Sequence, residues 1–234
     1  MNWQGGIQDF AFSSIKTLKT KFFVSNETSL SAAKGIRRQG HQDKLLCLNF
    51  ASARNPGGGF LNGTKAQEED LARASALYAC IQPKIEYYQS NRRFRSTLYT
   101  HGMIYSPEVP AFRDDDDTLL DHFYTLSIVT APAVNAGAVL NNQPEDAGKI
   151  RETMRERIQC LLSLALSYGY KHLILGAWGC GVFKNKSTDV AHDFAQLLLD
   201  GGLFENQFDT IYFAVLDNSK QLNTYNAFNA VFGE

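Results

Sequence analysis

The stretch "LLCLNFASARNPGGGFLNGTKAQEEDLARASALYACI", residues 45–81, combines an apolar run, a glycine-rich loop and an amphipathic segment. Its first six residues form the kind of short apolar run that is typical of a buried strand. Beyond the loop, apolar side chains recur at helical spacing, at Leu71, Ala74, Leu77, Tyr78 and Ile81. This order predicts a strand that ends at a glycine loop and a helix over 67–81.

The same arrangement occurs again downstream in "KHLILGAWGCGVFKN", residues 171–185. A buried strand is predicted over 171–179, and a helix over 187–200 with Ser187 or Thr188 as its N-cap. Further patterns predict a helix that begins after Thr28 or Ser29, strands over 102–110, 125–134 and 210–217, and a long amphipathic helix over 148–168. Strands that alternate with helices predict an α/β sandwich around a mixed, largely parallel sheet. Ligands of such sheets bind outside the carboxyl ends of the strands, where both glycine loops fall.

Composition narrows the class of protein. The 234 residues suit one domain with a sizeable core. A formal charge of −1 argues against a basic surface that covers the whole molecule. No stretch approaches the roughly 18 apolar residues of a spanning helix, so we expect a soluble, cytoplasmic protein that does not engage a membrane. We also expect a monomer. The four cysteines are widely scattered, which fits buried thiols better than a metal site or a disulfide framework.

Both glycine loops suit an anion. Gly57, Gly58 and Gly59 lack a Cβ, so consecutive backbone N–H groups could turn toward a phosphate, although a simple tight turn remains the alternative. The second cluster of glycines occupies the same position after its strand, so the two loops together fit a diphosphate. No GK[ST] follows the glycines and GxGxxG is absent, so the sequence supports neither ATP hydrolysis at a Walker loop nor a standard dinucleotide fold.

Glu68 and Glu69 fall in the first turn of the predicted helix. Carboxylates at this position can be simple partners of the helix dipole. Neighbouring helical residues point about 100° apart, so one acid could face a reacting bond while the other contacts a hydroxyl. Burial and a nearby diphosphate would raise the pKa of one of these carboxyls, which suits a general acid. The acidic turn Asp114 to Asp117 is expected to be a solvated loop.

The segment "GGGFLNGTKAQEE" resembles the poly(ADP-ribose) glycohydrolase signature, in which QEE follows GGG after a short spacer. The segment "GAWGCGVF" resembles the diphosphate loop of the same family, and the flanking "LNFASARNPGGGF" and "LARASALY" look like its microbial-type branch. The resemblance covers about residues 40–220. It implies a macrodomain-like α/β/α sandwich, with a catalytic domain over 41–234 and an N-terminal extension, 1–40, packed on it.

The resemblance also implies residue roles. Glu69 matches the catalytic acid, and Glu68 matches the acid that holds ribose hydroxyls. Asn55 resembles a ribose-positioning asparagine, and Gln67 is a candidate substrate contact. The loops would bind the ribose and the diphosphate through Gly57, Gly58, Gly59, Gly179, Cys180, Gly181 and Val182, and Phe183 would pack on the distal ribose. No cofactor and no metal are implied.

The function implied by the resemblance is hydrolysis of the ribose–ribose bond of poly(ADP-ribose). The chain has no room for the accessory helical domain of the larger enzymes, so exo-acting release of ADP-ribose is favoured. Poly(ADP-ribose), ADP-ribose and ADP-ribosylated proteins are the expected partners. Two alternatives stay open: a non-catalytic ADP-ribose reader, and a hydrolase of another ADP-ribosyl linkage. The QEE triplet argues against the reader, because binding an anion gives no reason to add two carboxylates.

Overall fold

A six-stranded mixed sheet forms the centre of the protein. The computed structural model describes residues 19–38 and 44–233. The strands lie in the order β1-β6-β5-β2-β4-β3, and all neighbours are parallel except the β3–β4 pair. They are β1 Lys21–Ser25, β2 Leu45–Phe50, β3 Ile104–Arg113, β4 Leu119–Ala131, β5 His172–Leu175 and β6 Thr210–Ala214.

Helices cover both faces of this sheet. They are α1 Ser29–Arg38, α2 Gln67–Ala74, α3 Leu77–Ile81, α4 Ile85–Arg93, α5 Ala136–Asn142, α6 Ile150–Ser167, α7 Ser187–Leu198 and α8 Asn223–Phe232. One hydrophobic cluster joins the sheet to α6, α7 and α8, and a second joins it to α1, α2, α3 and α4. Both faces of the central strands are buried, which explains the continuous apolar runs of β2 and β5. The predicted α/β/α sandwich with a mixed, largely parallel sheet is confirmed.

Two local predictions were wrong. The single helix expected over 67–81 is broken at Ser75, whose backbone is extended because it forms a bridge with Ala111 of β3. The Ser75 hydroxyl ties the two halves together, donating to Leu71 O and accepting from Leu77 N. The N-cap of α7 is Lys186, which makes no side-chain cap, and Ser187 and the residue after it lie inside the helix.

Residues that precede position 40 contribute to the sheet and to one helical layer. Strand β1 pairs with β6, with Lys21 opposite Thr210. Helix α1 buries Leu30, Ala33 and Ile36 against the second cluster. The division of the chain at residue 40 stays a prediction, because residues 1–18 and 39–43 lie outside the described residues. Within the described ranges, no helix has the length and apolar character that a membrane crossing requires.

Candidate active site

A cavity of about 770 Å³ lies along the carboxyl edge of the parallel strands. Its walls come from the loops that follow β2, β5 and β6 and from the first turns of α1 and α2. Glu68 and Glu69 lie on the β2 side, and Glu27 and Asp217 lie on the side of β1 and β6. The cavity therefore spans the sheet edge that the sequence predicted for a ligand.

Gln67 fixes the start of α2 against the end of β2. Its Oε1 accepts from Phe50 N at 2.8 Å, and its Nε2 donates to Leu48 O at 2.7 Å. The same Nε2 donates to Ser29 Oγ of α1 at 3.1 Å. The side-chain amide therefore prolongs the hydrogen bonding of β2 and sets the direction in which the two following glutamates point. Gln67 lines the cavity, and its role as a substrate contact stays a prediction.

Glu68 is buried with both of its carboxyl oxygens engaged. Oε2 accepts from Ser52 N at 2.6 Å, and Oε1 accepts from Asn49 Nδ2 at 3.4 Å. Burial raises the pKa of Glu68 to about 8, because desolvation of the carboxylate outweighs these hydrogen bonds. At neutral pH this carboxyl therefore keeps its proton.

Glu69 is buried too, but its environment differs. Oε1 accepts from Gly59 N at 2.8 Å, whereas Oε2 accepts no hydrogen bond from any residue that the structure describes. The side chain lines the cavity. One oxygen thus fixes the carboxyl and the other is available to a ligand. The adjacent acids differ in the way expected of a positioning group and a reacting group.

The glycine loop leaves space for these carboxyls. Gly58 has φ +60°, and a Cβ there would overlap Glu69 Oε1 and lie 3.0 Å from Glu68 Oε2. The expected phosphate nest is not found in this loop, because its amides bond within the protein: Gly58 N donates to Asn55 O at 3.0 Å, and Gly59 N donates to Glu69. The loop encloses the acids, as a turn that requires glycine.

Backbone amides that are free to bind a phosphate are found instead in the second glycine loop, after β5. The amides of Gly179, Gly181, Val182 and Phe183 donate to no acceptor among the described residues, and these residues line the cavity. Gly179 has φ +76°, and a Cβ there would overlap Ala133. Free, closely spaced N–H groups of this kind form an anion site.

Side-chain hydrogen bonds from Asn185 stabilise the second glycine loop. The side chain of Asn185 donates to Gly179 O at 3.0 Å and to Val134 O at 2.7 Å. The amide of Cys180 is used inside the loop, in a bond to Ala177 O at 3.1 Å. Burial raises the pKa of the Cys180 thiol to about 12, so it is not a nucleophile at neutral pH.

Asn55 and Phe183 lie at the rim. Asn55 is exposed and does not line the cavity, and its Oδ1 is 3.5 Å from the Arg92 guanidinium. The structure therefore does not bring Asn55 to the two acids, and its binding role stays a prediction. The half-buried ring of Phe183 lies 6.1 Å from that of Tyr99, measured between centroids.

Asp115, Asp116 and Asp117 of the acidic turn between β3 and β4 are exposed, as expected of a solvated loop, and the turn also contacts α1. The Asp115 carboxylate accepts from Thr28 Oγ1 at 2.8 Å and from Ser31 Oγ at 2.6 Å. Asp114 forms an ion pair with Lys34, and this contact holds the pKa of Asp114 below its usual value. The turn thus lies against the start of α1 and borders the cavity.

Sequence reasoning missed the polar residues behind Glu68. Asn49 is fully buried in β2, and its Oδ1 has no hydrogen-bond donor within the described part of the chain. The hydroxyls of Tyr87 and Tyr88 are also buried without a described partner. The only signal was an asparagine inside the apolar run "LLCLNF", because a buried polar side chain needs a reason.

Comparison with known proteins agrees with this architecture. The family model for the microbial-type PARG (poly(ADP-ribose) glycohydrolase) catalytic domain matches residues 8–114. Poly(ADP-ribose) glycohydrolase from Thermomonospora curvata is 42% identical, with a TM-score of 0.89 over 94% of this chain and 79% of that one. A second structure of that enzyme, bound to the inhibitor ADP-HPD, is 43% identical, with a TM-score of 0.86 over 90% of this chain and 78% of that one.

A further similar structure is the Deinococcus radiodurans enzyme in complex with ADP-ribose. It is 47% identical, with a TM-score of 0.86 over 92% of this chain and 84% of that one. The comparison with curated proteins finds no match. Fold and site together define a macrodomain-like protein with a paired-carboxylate site. The chain belongs to the microbial-type poly(ADP-ribose) glycohydrolase family.

Proposed function

We propose that this protein is a glycoside hydrolase that cleaves the ribose–ribose O-glycosidic bond of poly(ADP-ribose) and releases ADP-ribose. The observation that carries the proposal is the pair of buried acids at one end of the cavity. Glu68 has both oxygens engaged, and Glu69 has one oxygen without a partner among the described residues. A site that only binds a diphosphate has no use for a buried carboxyl held in this way.

The cavity suggests how ADP-ribose lies. The free amides of 179–183 suit the diphosphate. The ribose that reacts would then lie between this loop and the acids of α2, and the adenosine would lie toward β6 and β1. Relatives in this family bind ADP-ribose and ADP-HPD, and these ligands support the placement.

The mechanism follows from the two acids. Glu69 donates its proton to the glycosidic oxygen, which leaves with the electrons of the broken C–O bond as a hydroxyl of the shortened chain. The carboxylate of Glu69 then takes a proton from a water molecule, whose oxygen forms the new bond to the ribose carbon. Glu68 is held by Ser52 N and Asn49 Nδ2 and positions a ribose hydroxyl next to the reacting bond.

Charge at the far end of the cavity supports exo-acting cleavage. Glu27 and Asp217 line this end, and Asp114, Asp115 and Asp117 of the turn between β3 and β4 line the wall beside α1 and α2. Arg73 and Lys34 offset only part of this charge. A polyanionic chain that continued past the adenosine would meet these carboxylates, so a terminal unit fits better than an internal one.

The remaining expectations belong to the same proposal. The substrate-binding roles of Asn55, Gln67 and the two glycine loops are part of it, as is the division into 1–40 and 41–234. A cytoplasmic monomer that acts on chains attached to ADP-ribosylated proteins is also part of the proposal. Analytical ultracentrifugation checks the monomer.

The test is a time course of products from purified poly(ADP-ribose). We expect free ADP-ribose from the earliest time point, while the chains shorten unit by unit and no short oligomers are released early. Early oligomers would contradict the exo-acting mode. Mono-ADP-ribosylated protein serves as the comparison substrate. Release from that protein alone, with intact chains, would overturn the proposal in favour of another ADP-ribosyl linkage.

A further inference from the structure

Arg92 contacts the loop that carries Arg54, at the outer side of the glycine loop, and two further arginines follow Arg92 in the chain. Arg54 is in the loop after β2, Arg92 and Arg93 end α4, and Arg95 follows. All four are exposed. None forms an ion pair with a carboxylate in the described parts of the chain. We call this set the arginine rim. Exposed cations without an acid partner form a positive field that suits a phosphate.

Short contacts connect the arginine rim to the catalytic end of the cavity. The Arg92 guanidinium donates to Arg54 O and lies 3.5 Å from Asn55 Oδ1. Asn55 O accepts from Gly58 N at 3.0 Å, and Gly58 lies directly against Glu69. The three residues from Asn55 to Gly58 span at most about 10 Å. The rim therefore adjoins the end at which the bond would break.

Arg54 extends the rim toward the second loop. Its guanidinium carbon lies 6.0 Å from the centre of the Tyr99 ring, a cation–π distance. The Tyr99 ring in turn lies 6.1 Å from Phe183. The two arginines thus lie between the glycine loop and the Tyr99 ring, and neither lines the cavity that a single ADP-ribose would fill.

We propose that Arg54 and Arg92 form a subsite for the diphosphate of the next ADP-ribose unit, the one that stays on the shortened chain. This inference rests on the proposed function. The leaving oxygen belongs to a ribose of that next unit, and only this ribose separates it from the unit's own diphosphate. A diphosphate must therefore lie just outside the catalytic end. Guanidinium groups bind phosphate oxygens in pairs, with better geometry than an ammonium group.

The distribution of charge around the cavity agrees with a chain that continues outward from the catalytic end. Glu27 and Asp217 line the end of the cavity toward β1 and β6, whereas Arg92 contacts the chain just before the glycine loop that holds Glu69. A polyanion is thus repelled at one end and attracted at the other, which orients the chain for release of its terminal unit. The subsite contributes to chain binding and leaves the binding of free ADP-ribose unchanged.

The experiment measures chain binding without turnover. Fluorescence anisotropy of end-labelled poly(ADP-ribose) of defined length is measured on a Glu69→Gln background, with Arg54→Gln, Arg92→Gln and the double variant. The matched control is Lys19→Gln/Lys21→Gln, because both lysines are exposed and lie at the far edge strand β1. Free ADP-ribose is measured by calorimetry on every variant. Arg92→Lys tests for the paired geometry, because it keeps the charge.

We expect a loss of chain affinity of about threefold for each arginine, which is typical of an exposed charged contact. The slope of log affinity against log salt concentration should fall by about 0.7 for each phosphate contact removed. Affinity for ADP-ribose should stay within twofold, and the lysine control should behave as the parent does.

Two outcomes would overturn the inference. Unchanged chain affinity and salt slope in the double arginine variant would remove the subsite. An equal loss for free ADP-ribose and for chains would show that the arginines support the pocket and do not bind the chain. Neither outcome bears on the proposed function, which fails separately if the wild-type protein releases no ADP-ribose from chains.

Discussion

Replacing Glu68 by glutamine should remove a decline in stability that the wild-type protein shows above pH 6.5. The pKa of Glu68 is raised from its ordinary 4.5 to about 8 by burial. The folded state therefore holds this proton more tightly than the unfolded chain does. The resulting stabilisation is complete below pH 4.5 and is lost as the pH rises through 8.

The pH window is chosen so that one group dominates. Burial lowers the pKa of His101 to about 4, so this side chain affects stability between pH 4 and pH 6.5 and in the opposite direction. Above pH 6.5 the pH dependence of the free energy of unfolding comes mainly from Glu68. With pKa values of 4.5 and about 8, the free energy of unfolding should fall by about 1.5 kcal/mol between pH 6.5 and pH 8.

Glutamine suits the site because it keeps the shape without the titration. Its oxygen can accept from Ser52 N, and its amide group would face Asn49. A half-turn of the Asn49 amide presents the Oδ1 that has no described donor. The same half-turn moves Asn49 Nδ2 away from Thr130 Oγ1 to the position where Oδ1 now has no described partner, so the number of unpaired polar atoms stays the same.

Urea unfolding at pH 6.5 and pH 8 measures the effect on wild type, Glu68→Gln and the control Glu86→Gln. Glu86 is an exposed acid in the first turn of α4. The decline should disappear in Glu68→Gln and persist in Glu86→Gln. A wild-type protein without the decline, or a Glu68→Gln protein with an equal one, would refute the reasoning.

Two further substitutions test how the acids are placed. Gly58→Ala should reduce turnover by about a hundredfold, because its Cβ displaces the Glu69 carboxyl, and a misplacement of about 1 Å costs that much. The control is Gly63→Ala, because Gly63 has φ +75° but open space around it. This variant should retain activity in the same assay. Equal losses in both variants would implicate backbone strain alone. Gln67→Leu should lower the free energy of unfolding by about 3 kcal/mol, because backbone groups of β2 lose their partners. Replacing the exposed Gln82 by leucine should leave the free energy of unfolding within about 0.5 kcal/mol of wild type, as measured in urea. A Gln67→Leu protein of similar stability would contradict the role of Gln67 in holding α2 against β2.

The elements predicted from sequence were those with strong periodicity. Strand β2 begins and ends where its apolar run does, because both faces of a central strand are buried. Helix α8 was missed, because "NTYNAFNAVF" is rich in asparagine and buries only Phe228 and Phe232. The break at Ser75 was missed as well, because it results from a bridge to a distant strand that local pattern does not contain.

The site could be predicted as a pair of loops and a pair of acids, but not as a set of contacts. The resemblance indicated Glu69, and the structure gives the physical difference between Glu69 and Glu68 in their hydrogen bonds. The role of each glycine loop depended on where its amides point, which sequence does not encode. Asn49 was missed because its importance comes from burial beside Glu68.

The central claim is that Glu69 supplies the proton for cleavage. The most direct measurement is the rate of ADP-ribose release from purified poly(ADP-ribose) by wild type and Glu69→Gln, with ADP-ribose binding to both measured by calorimetry. We expect release by wild type, a loss of at least about a thousandfold in the variant, and binding within a few-fold of wild type. A Glu69→Gln protein that releases ADP-ribose at the wild-type rate would contradict it. Tight binding without release by either protein would make this chain a reader.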